Sequence, residues 1–349
     1  MCVYRIDPHT DERWPAFIKK RPDASIFHTS GWMKALEKTY AYKPTVYTTS
    51  PPGEELTNGI PFCEIKSWFT GTRLVSLPFS DHCEPLVENE GQLVEILKNL
   101  SGMHTNPWKY IELRPSTAQL EHVGDANGFG RSTPFLFHRI DISGDIDEVR
   151  NRLHKDAIRR KIRRAEREKL VCRYGFSDDL LDSFYRLLLM TRRKHMLPPQ
   201  PRIWFRNLLD CLGDHTRIML AEKDNRPVAA ILVCNFGLTH YYKYGCSDLH
   251  AANLGGTPLL MWRAIQRAKE AGATSFDLGR SDIDNEGLAK FKERLGAVCS
   301  KGHYLRSPAL SQGDDGGEGW KMRVAKRLFS RLPDKILVAA GKVLYRHIG

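Results

Sequence analysis

No stretch of this 349-residue chain holds the roughly eighteen uninterrupted apolar residues that a bilayer-crossing helix needs, and residues 1–20 lack the apolar core of a secretory signal. The eight cysteines, at 2, 63, 83, 172, 211, 234, 246 and 299, contain no Cys-x-x-Cys pair. Their scatter argues against a disulfide framework and for free thiols in a reducing cytoplasm. The thirteen histidines are dispersed, with no His-x-x-x-His spacing, so no metal is expected. Gly-x-Ser-x-Gly and the phosphate-loop pattern are missing too, which removes two common signatures of covalent and nucleotide-driven catalysis. Nothing marks Cys234 or Cys246 as a nucleophile, and buried small side chains are the plainer reading of both.

What remains is an ordinary globular composition, 41% hydrophobic and 10% aromatic, in a chain long enough for two domains. The net charge of +12 asks for an anionic partner. RNA, a nucleotide-linked sugar and an acidic membrane surface all satisfy it, and composition does not choose among them.

The most informative stretch runs from Thr239 to Ala297. Thr239 to Tyr244 alternates like a half-buried strand, with Tyr242 and Tyr244 on one face and Lys243 on the other. After Gly255-Gly256, Thr257 reads as an N-cap and Pro258 as the first helical residue. Leu259, Trp262, Ile265 and Ala268 then recur at helical spacing until Gly272. Thr274 to Leu278 reads as a strand, Gly279-Arg280-Ser281 as a turn leaving it, and Glu286 to Leu295 as a second helix. Such a βαβα unit offers a ligand site where strand ends meet a helix N-terminus.

Four pieces of this stretch, in this order, resemble the second half of the Fem-type aminoacyltransferases, the FemAB-like branch of the GNAT acyltransferase superfamily. They are Tyr242-x-Tyr244, Pro258-Leu-Leu-x-Trp262, Phe276-Asp-Leu-Gly-Arg280-Ser281 and Gly287-Leu-x-x-Phe-Lys292-x-x-x-Gly296. Upstream, Leu74-Val-Ser-Leu-Pro-Phe-Ser-Asp81-His-Cys-Glu-Pro-Leu86 resembles the family's first-domain signature, with Glu84 where the family usually has glycine. The resemblance implies an α+β fold of tandem GNAT-like domains, the acyl-CoA N-acyltransferase fold. The expected division is 1–146 on the acceptor side, 147–306 on the donor and catalytic side, and 307–349 as linker and basic amphipathic tail.

The first half supports that reading with an antiparallel meander (Pro44 to Thr48, Gly59 to Ile65, Arg73 to Leu77), a helix from Leu93 to Leu100 and a strand from Tyr110 to Arg114. Phe137 to Ile142 is expected as its late strand. Asp147 to Leu170 reads as one basic helix in which Arg159, Arg160, Lys161, Arg163, Arg164 and Arg167 crowd together. A solvated outer face is one account; phosphate binding by Arg160, Arg163 and Arg164 is the other. The tail from 320 to 349 suits either an anionic inner-membrane surface or packing against the body.

Acyl transfer to an amine needs in-line positioning and positive charge or N–H donors at the developing oxyanion, with no covalent intermediate required. Arg280 and Lys292 are the expected cations, and Asp277 moves the proton or orients Arg280. Substitution of Arg280 or Lys292 by alanine is expected to abolish transfer with the melting temperature nearly unchanged. Tyr244 and Ser281 are expected at the acyl group, though core packing is the simpler role for the tyrosines. Asp81, Arg114 and Trp32, with Lys34 or Lys38, are expected along an acceptor cleft between the domains. The segment Asn253-Leu-Gly-Gly-Thr-Pro258 departs from the pyrophosphate loop of acyl-CoA users, which favours aminoacyl-tRNA as donor, with no bound cofactor. The implied product is an amide on an anionic envelope precursor, a peptidoglycan or exopolysaccharide building block. An acyl-CoA-dependent N-acyltransferase of amino sugars, or a non-catalytic RNA- or membrane-binding protein, are the alternatives.

Overall fold

The computed structural model describes residues 2–68, 70–102, 108–116, 123, 127–309 and 333–348. The expected linker and the front of the tail, 310–332, lie outside them. Two compact units arise, one from the described residues of 1–136, 301–317 and 344–349, the other from those of 137–300 and 318–343.

In chain order the elements of the first half are β1 (Tyr4–Ile6), α1 (Arg13–Lys20), α2 (Ser30–Tyr40), β2 (Lys43–Thr48), β3 (Ile60–Ile65), β4 (Arg73–Val75), α3 (Glu90–Ser101), β5 (Tyr110–Leu113) and β6 (Gly130–Arg131). Next come β7 (Phe135–Asp141), α4 (Ile146–Arg152), a π-helical turn (Lys155–Arg159), α5 (Arg160–Arg167), β8 (Val171–Gly175), α6 (Asp178–Lys194), α7 (Arg202–Leu212), β9 (Thr216–Lys223), β10 (Arg226–Phe236) and β11 (Thr239–Ser247). Last are α8 (Gly256–Glu270), β12 (Ser275–Asp282), α9 (Glu286–Arg294), β13 (Val298–Gly302), β14 (Leu305–Ser307) and α10 (Asp334–Ile348).

Each unit is built on a seven-stranded sheet, ordered β1-β2-β3-β4-β5-β14-β6 and β13-β7-β12-β11-β10-β9-β8. The expected meander is present, β2 through β4 pairing antiparallel. The strand expected from Phe137 to Ile142 exists but belongs to the second sheet, beside β12. Its Ile140 and the following Ile142 are fully buried among Phe276, Leu278 and Leu295, and that apolar burial decides which sheet takes it. The long basic helix is broken as well. Leu153 and His154 adopt extended ψ values of 130° and 127°, and His154 Nδ1 accepts from the amides of Asp156 and Ala157 to start a new turn.

One core of the second unit gathers on the α8 side of its sheet. The helical stripe Leu259, Trp262, Ile265 and Ala268 is buried against Met219, Ala221, Ala229 and Ile231 of β9 and β10. The helix begins two residues earlier than expected. Gly255, in a left-handed conformation (φ 82°), is the N-cap, and no side chain caps it. A Cβ on Gly255 would lie 2.3 Å from the carbonyl oxygen of Lys161, so the backbone of α5 abuts the start of α8.

In the first unit, α2 is capped by Thr29, whose hydroxyl accepts from the Trp32 amide. Glu84, in place of glycine, finds partners: its carboxylate accepts from the amide and hydroxyl of Ser116, and its carbonyl accepts from His28 Nε2 at 2.9 Å. His28 is fully buried, with Nδ1 accepting from the Ser25 amide at 3.0 Å. Desolvation holds its pKa down to about 4 against the ordinary 6.5, opposed by the Glu84 carbonyl. Below about pH 6.5 the unfolded chain therefore takes up a proton that the folded chain refuses until about pH 4. Stability should fall through that window by about 1.4 kcal/mol per pH unit from this group alone. Denaturant titrations at pH 7, 6 and 5 check it. The fall should be shallower by that slope in His28→Gln, and identical slopes would remove the assignment.

Candidate active site

Two neighbouring strands of the second sheet set the geometry. β11 and β12 run parallel but pair only at Thr239, His240 and Tyr241 with Ser275, Phe276 and Asp277. Beyond those pairs β11 continues to Ser247 and β12 to Asp282. The backbone groups on the facing edges there are not spent on each other, which lets an extended ligand segment reach them.

The outer flank of this opening is shaped by a bulge. Leu232 of β10 stands opposite Tyr244, but the next residue, Val233, stands opposite Tyr242. Lys243 is the extra residue, and the alternation reverses across it. Tyr242 and Tyr244 thus face opposite sides of the sheet, against the expectation of a shared face. Tyr242 packs on the α8-side core, its hydroxyl lying over Gly245 where a Cβ would sit 1.9 Å away. The Tyr244 hydroxyl accepts from Trp204 Nε1 of α7 at 2.9 Å, and its ring meets Phe205 edge-on. Tyr244 is held firmly, on the face away from Tyr242.

The inner flank is the end of β12. Gly279-Arg280-Ser281 does not turn out of the strand; the strand runs through to Asp282. It does so with Gly279 in a left-handed conformation (φ 67°), held by its neighbours. The Gly279 amide donates to Asp277 Oδ1 at 2.6 Å, and its carbonyl accepts from Lys292 Nζ at 3.0 Å. Lys292 Nζ also donates to the Arg280 carbonyl at 2.9 Å.

This pinning revises the expected roles. Lys292 is only 2% exposed, so it is neither a surface lysine nor a residue whose removal leaves folding untouched. Its contacts make it a positioning residue for the strand end. Asp277 is buried and accepts from Arg139 Nη2 at 3.4 Å as well as from Gly279. The guanidinium of Arg280 is partly exposed and pairs with Asp282 at 3.2 Å. Ser281 is buried, and its hydroxyl has no hydrogen-bond partner.

The first-unit residues fall into two groups. Trp32 is fully buried, edge-to-face on Phe27, which gives it a packing role in place of a cleft-lining one. Asp81 and Arg114 come together around Tyr304: the tyrosine hydroxyl donates to the Asp81 carbonyl at 2.7 Å, and the Arg114 guanidinium lies 5.3 Å from the ring centroid. Arg114 is also tied to Glu112 at 2.8 Å.

The basic segment divides by face. Arg160 lies 3.9 Å from Asp156 and Arg164 lies 4.0 Å from Glu168, so neighbouring acids relieve part of the crowding. Arg163 lines a hollow of about 530 Å³ with Asp147, Arg150, Asn151, Lys155, Arg159 and Ile162. Four cations face one carboxylate there, a setting for a polyanion. The signal was in the sequence: Lys155, Arg159 and Arg163 recur every four residues. Only the break at His154 obscured their common face.

Burial pushes the thiols of Cys63, Cys83 and Cys246 above the ordinary cysteine range. A thiol held protonated is a poor nucleophile. Among the described residues no helix is long and apolar enough to cross a membrane. In α10, Leu337 is fully buried, and a Cβ on Gly341 would lie 2.0 Å from the Pro199 carbonyl oxygen. This part of the tail packs against protein.

Residues 152–293, which take in α5, the β11–β12 opening and α9 up to Glu293, match the family model described as an acetyltransferase (GNAT) domain. No curated protein matches the chain by sequence. Among solved structures it is similar to FemX, with a TM-score of 0.71 at 15% identity over 95% of this chain and 100% of that one. It is also similar to L-PGS from Bacillus licheniformis (TM-score 0.56, 16% identity, 93% of this chain and 98% of that one). A tandem GNAT protein from the clavulanic acid biosynthesis pathway matches with a TM-score of 0.53 at 10% identity, over 88% of this chain and 98% of that one. At these identities the likeness establishes the fold, a tandem GNAT arrangement of mixed α and β layers.

Proposed function

We propose, starting from a chain that carries an acetyltransferase (GNAT) domain in a tandem GNAT fold, that it transfers an aminoacyl or acyl group to the amine of a cell-envelope precursor. The observation that carries the reading is the opening between β11 and β12, with Arg280 beyond the last paired residue. An extended acyl donor laid there would lie along strand edges that do not pair with each other, with a cation nearby for its carbonyl oxygen. The amine nitrogen attacks the acyl carbon; with an ester donor the C–N bond forms as the C–O bond breaks. The proton lost by the amine ends on the leaving ribose oxygen, so no enzyme-bound acyl group is needed.

The donor we favour is an aminoacyl-tRNA, because the hollow lined by Arg150, Lys155, Arg159 and Arg163 suits a run of phosphates. FemX and L-PGS share this fold, and an anionic peptidoglycan or exopolysaccharide intermediate would serve as acceptor. An acyl-CoA donor is the second reading, supported by the family model's own description.

Lys155→Ala and Arg163→Ala test the donor. Each should weaken aminoacyl-tRNA binding uniformly across tRNA sequences and lower the slope of log affinity against log salt by about 0.7–0.9. Unchanged affinity and slope in the double variant would remove the hollow from the donor path. Micromolar acetyl-CoA binding by calorimetry would replace the tRNA reading with the second one.

A further inference from the structure

Three side chains that the sequence keeps far apart meet at one edge of the second sheet. His138 is on β7, Glu293 near the end of α9, and Cys299 on β13, the strand next to β7. One nitrogen, one carboxylate oxygen and one sulfur from the three lie within 4.8 Å of one another. We propose that His138, Glu293 and Cys299 bind a zinc ion that clips α9 to the edge of the sheet.

His138 carries the case. It is only 1% exposed, and neither ring nitrogen has a hydrogen-bond partner in the structure. A buried imidazole left unsatisfied is costly, and such groups ordinarily meet a partner, a water or an ion. The other two members are of the kind a metal takes: a thiol and a carboxylate, both exposed, so an ion has an entry path. Imidazole, thiolate and carboxylate together suit zinc better than calcium or magnesium, with water in the fourth position.

The charges close as well. A thiolate and a carboxylate neutralise a dication, leaving a site with no net charge. Binding would take the Cys299 sulfur as thiolate and release one proton. The absence of any regular metal-ligand spacing in the sequence is explained by the fold. Gly296, left-handed at φ 83°, turns α9 back so that Glu293 and Cys299 face the same strand.

The clip would hold the helix that carries Lys292, but the site does not depend on the transfer reaction and is tested without it. Untagged full-length protein, stripped with chelator, is titrated with zinc against a chromophoric competitor, and with cobalt as a spectroscopic stand-in. The expected results are one equivalent bound more tightly than about 1 µM, and a thiolate-to-cobalt charge-transfer band. Cys299→Ser and Glu293→Gln change exposed residues, so folding should survive. Each should weaken zinc binding by about 100-fold or more, beyond the loss typical of an outer-shell partner. Cys172→Ser, another exposed thiol, should leave it unchanged. Zinc should raise the melting temperature of the wild type and of Cys172→Ser, and not that of Cys299→Ser. Zinc binding that survives Cys299→Ser, or cobalt spectra without the sulfur band, would overturn the site. Either would leave His138 as a neutral histidine satisfied by water.

Discussion

Replacing Lys292 with methionine should reduce transfer by about 10²-fold or more and lower stability together. The chain volume is kept, but the carbonyls of Gly279 and Arg280 lose their donor. Leaving buried acceptors unpaired costs about 1–3 kcal/mol, which in a domain of this size is roughly 2–4 °C of melting temperature per kcal/mol. The loss of activity would follow from the release of the left-handed Gly279 and of the strand end that presents Arg280. Arg280→Ala should behave differently. Its side chain is partly exposed and pairs with neighbouring Asp282, so the loss of stability should be smaller than in Lys292→Met while transfer is lost. Thermal melts and initial rates on the same preparations separate the two. A fully stable, inactive Lys292→Met would return Lys292 to direct contact with substrate. An active one would remove it from the site.

Gly255→Ala should strongly destabilise the second unit. The left-handed backbone costs a non-glycine residue about 1–2 kcal/mol. In addition, the new Cβ would stand 2.3 Å from the Lys161 carbonyl oxygen, a backbone atom that cannot swing aside. Forced repacking of that kind costs about 1–3 kcal/mol more. The start of α8 and the basic α5 would have to separate, so donor binding should fall along with stability. Gly287→Ala is the matched control: its added methyl meets nothing within 4 Å, and alanine favours the helix it sits in. Equal melting temperatures for the two variants would show that the contact between α5 and α8 is not tight.

What was legible in the sequence follows from the range of each signal. The stripe Leu259, Trp262, Ile265 and Ala268 was readable because one face of α8 meets the core along its whole length. The sheet to which β7 belongs was not readable, since alternation marks a strand without marking its partner. Gly279-Arg280-Ser281 looked like a turn because only distant Lys292 and neighbouring Asp277 keep that glycine within β12. The bulge at Lys243 has no glycine or asparagine to announce it, so the split of Tyr242 from Tyr244 had to be seen in the register. The gathering of His138, Glu293 and Cys299 was not readable, because strand order brings them together and sequence spacing does not. Arg280, Asp277 and Lys292 were found as a set through a family resemblance; their division into one exposed cation and two buried anchors came from the fold.

The most direct test of transfer at the β11–β12 opening is an amide-formation assay with labelled aminoacyl-tRNA and labelled acyl-CoA, each offered with extracted envelope precursors. The account predicts label in an acid-stable amide from one of the two donors, and none from either with Arg280→Ala. Label appearing equally with Arg280→Ala, or from neither donor with the wild type, would contradict it.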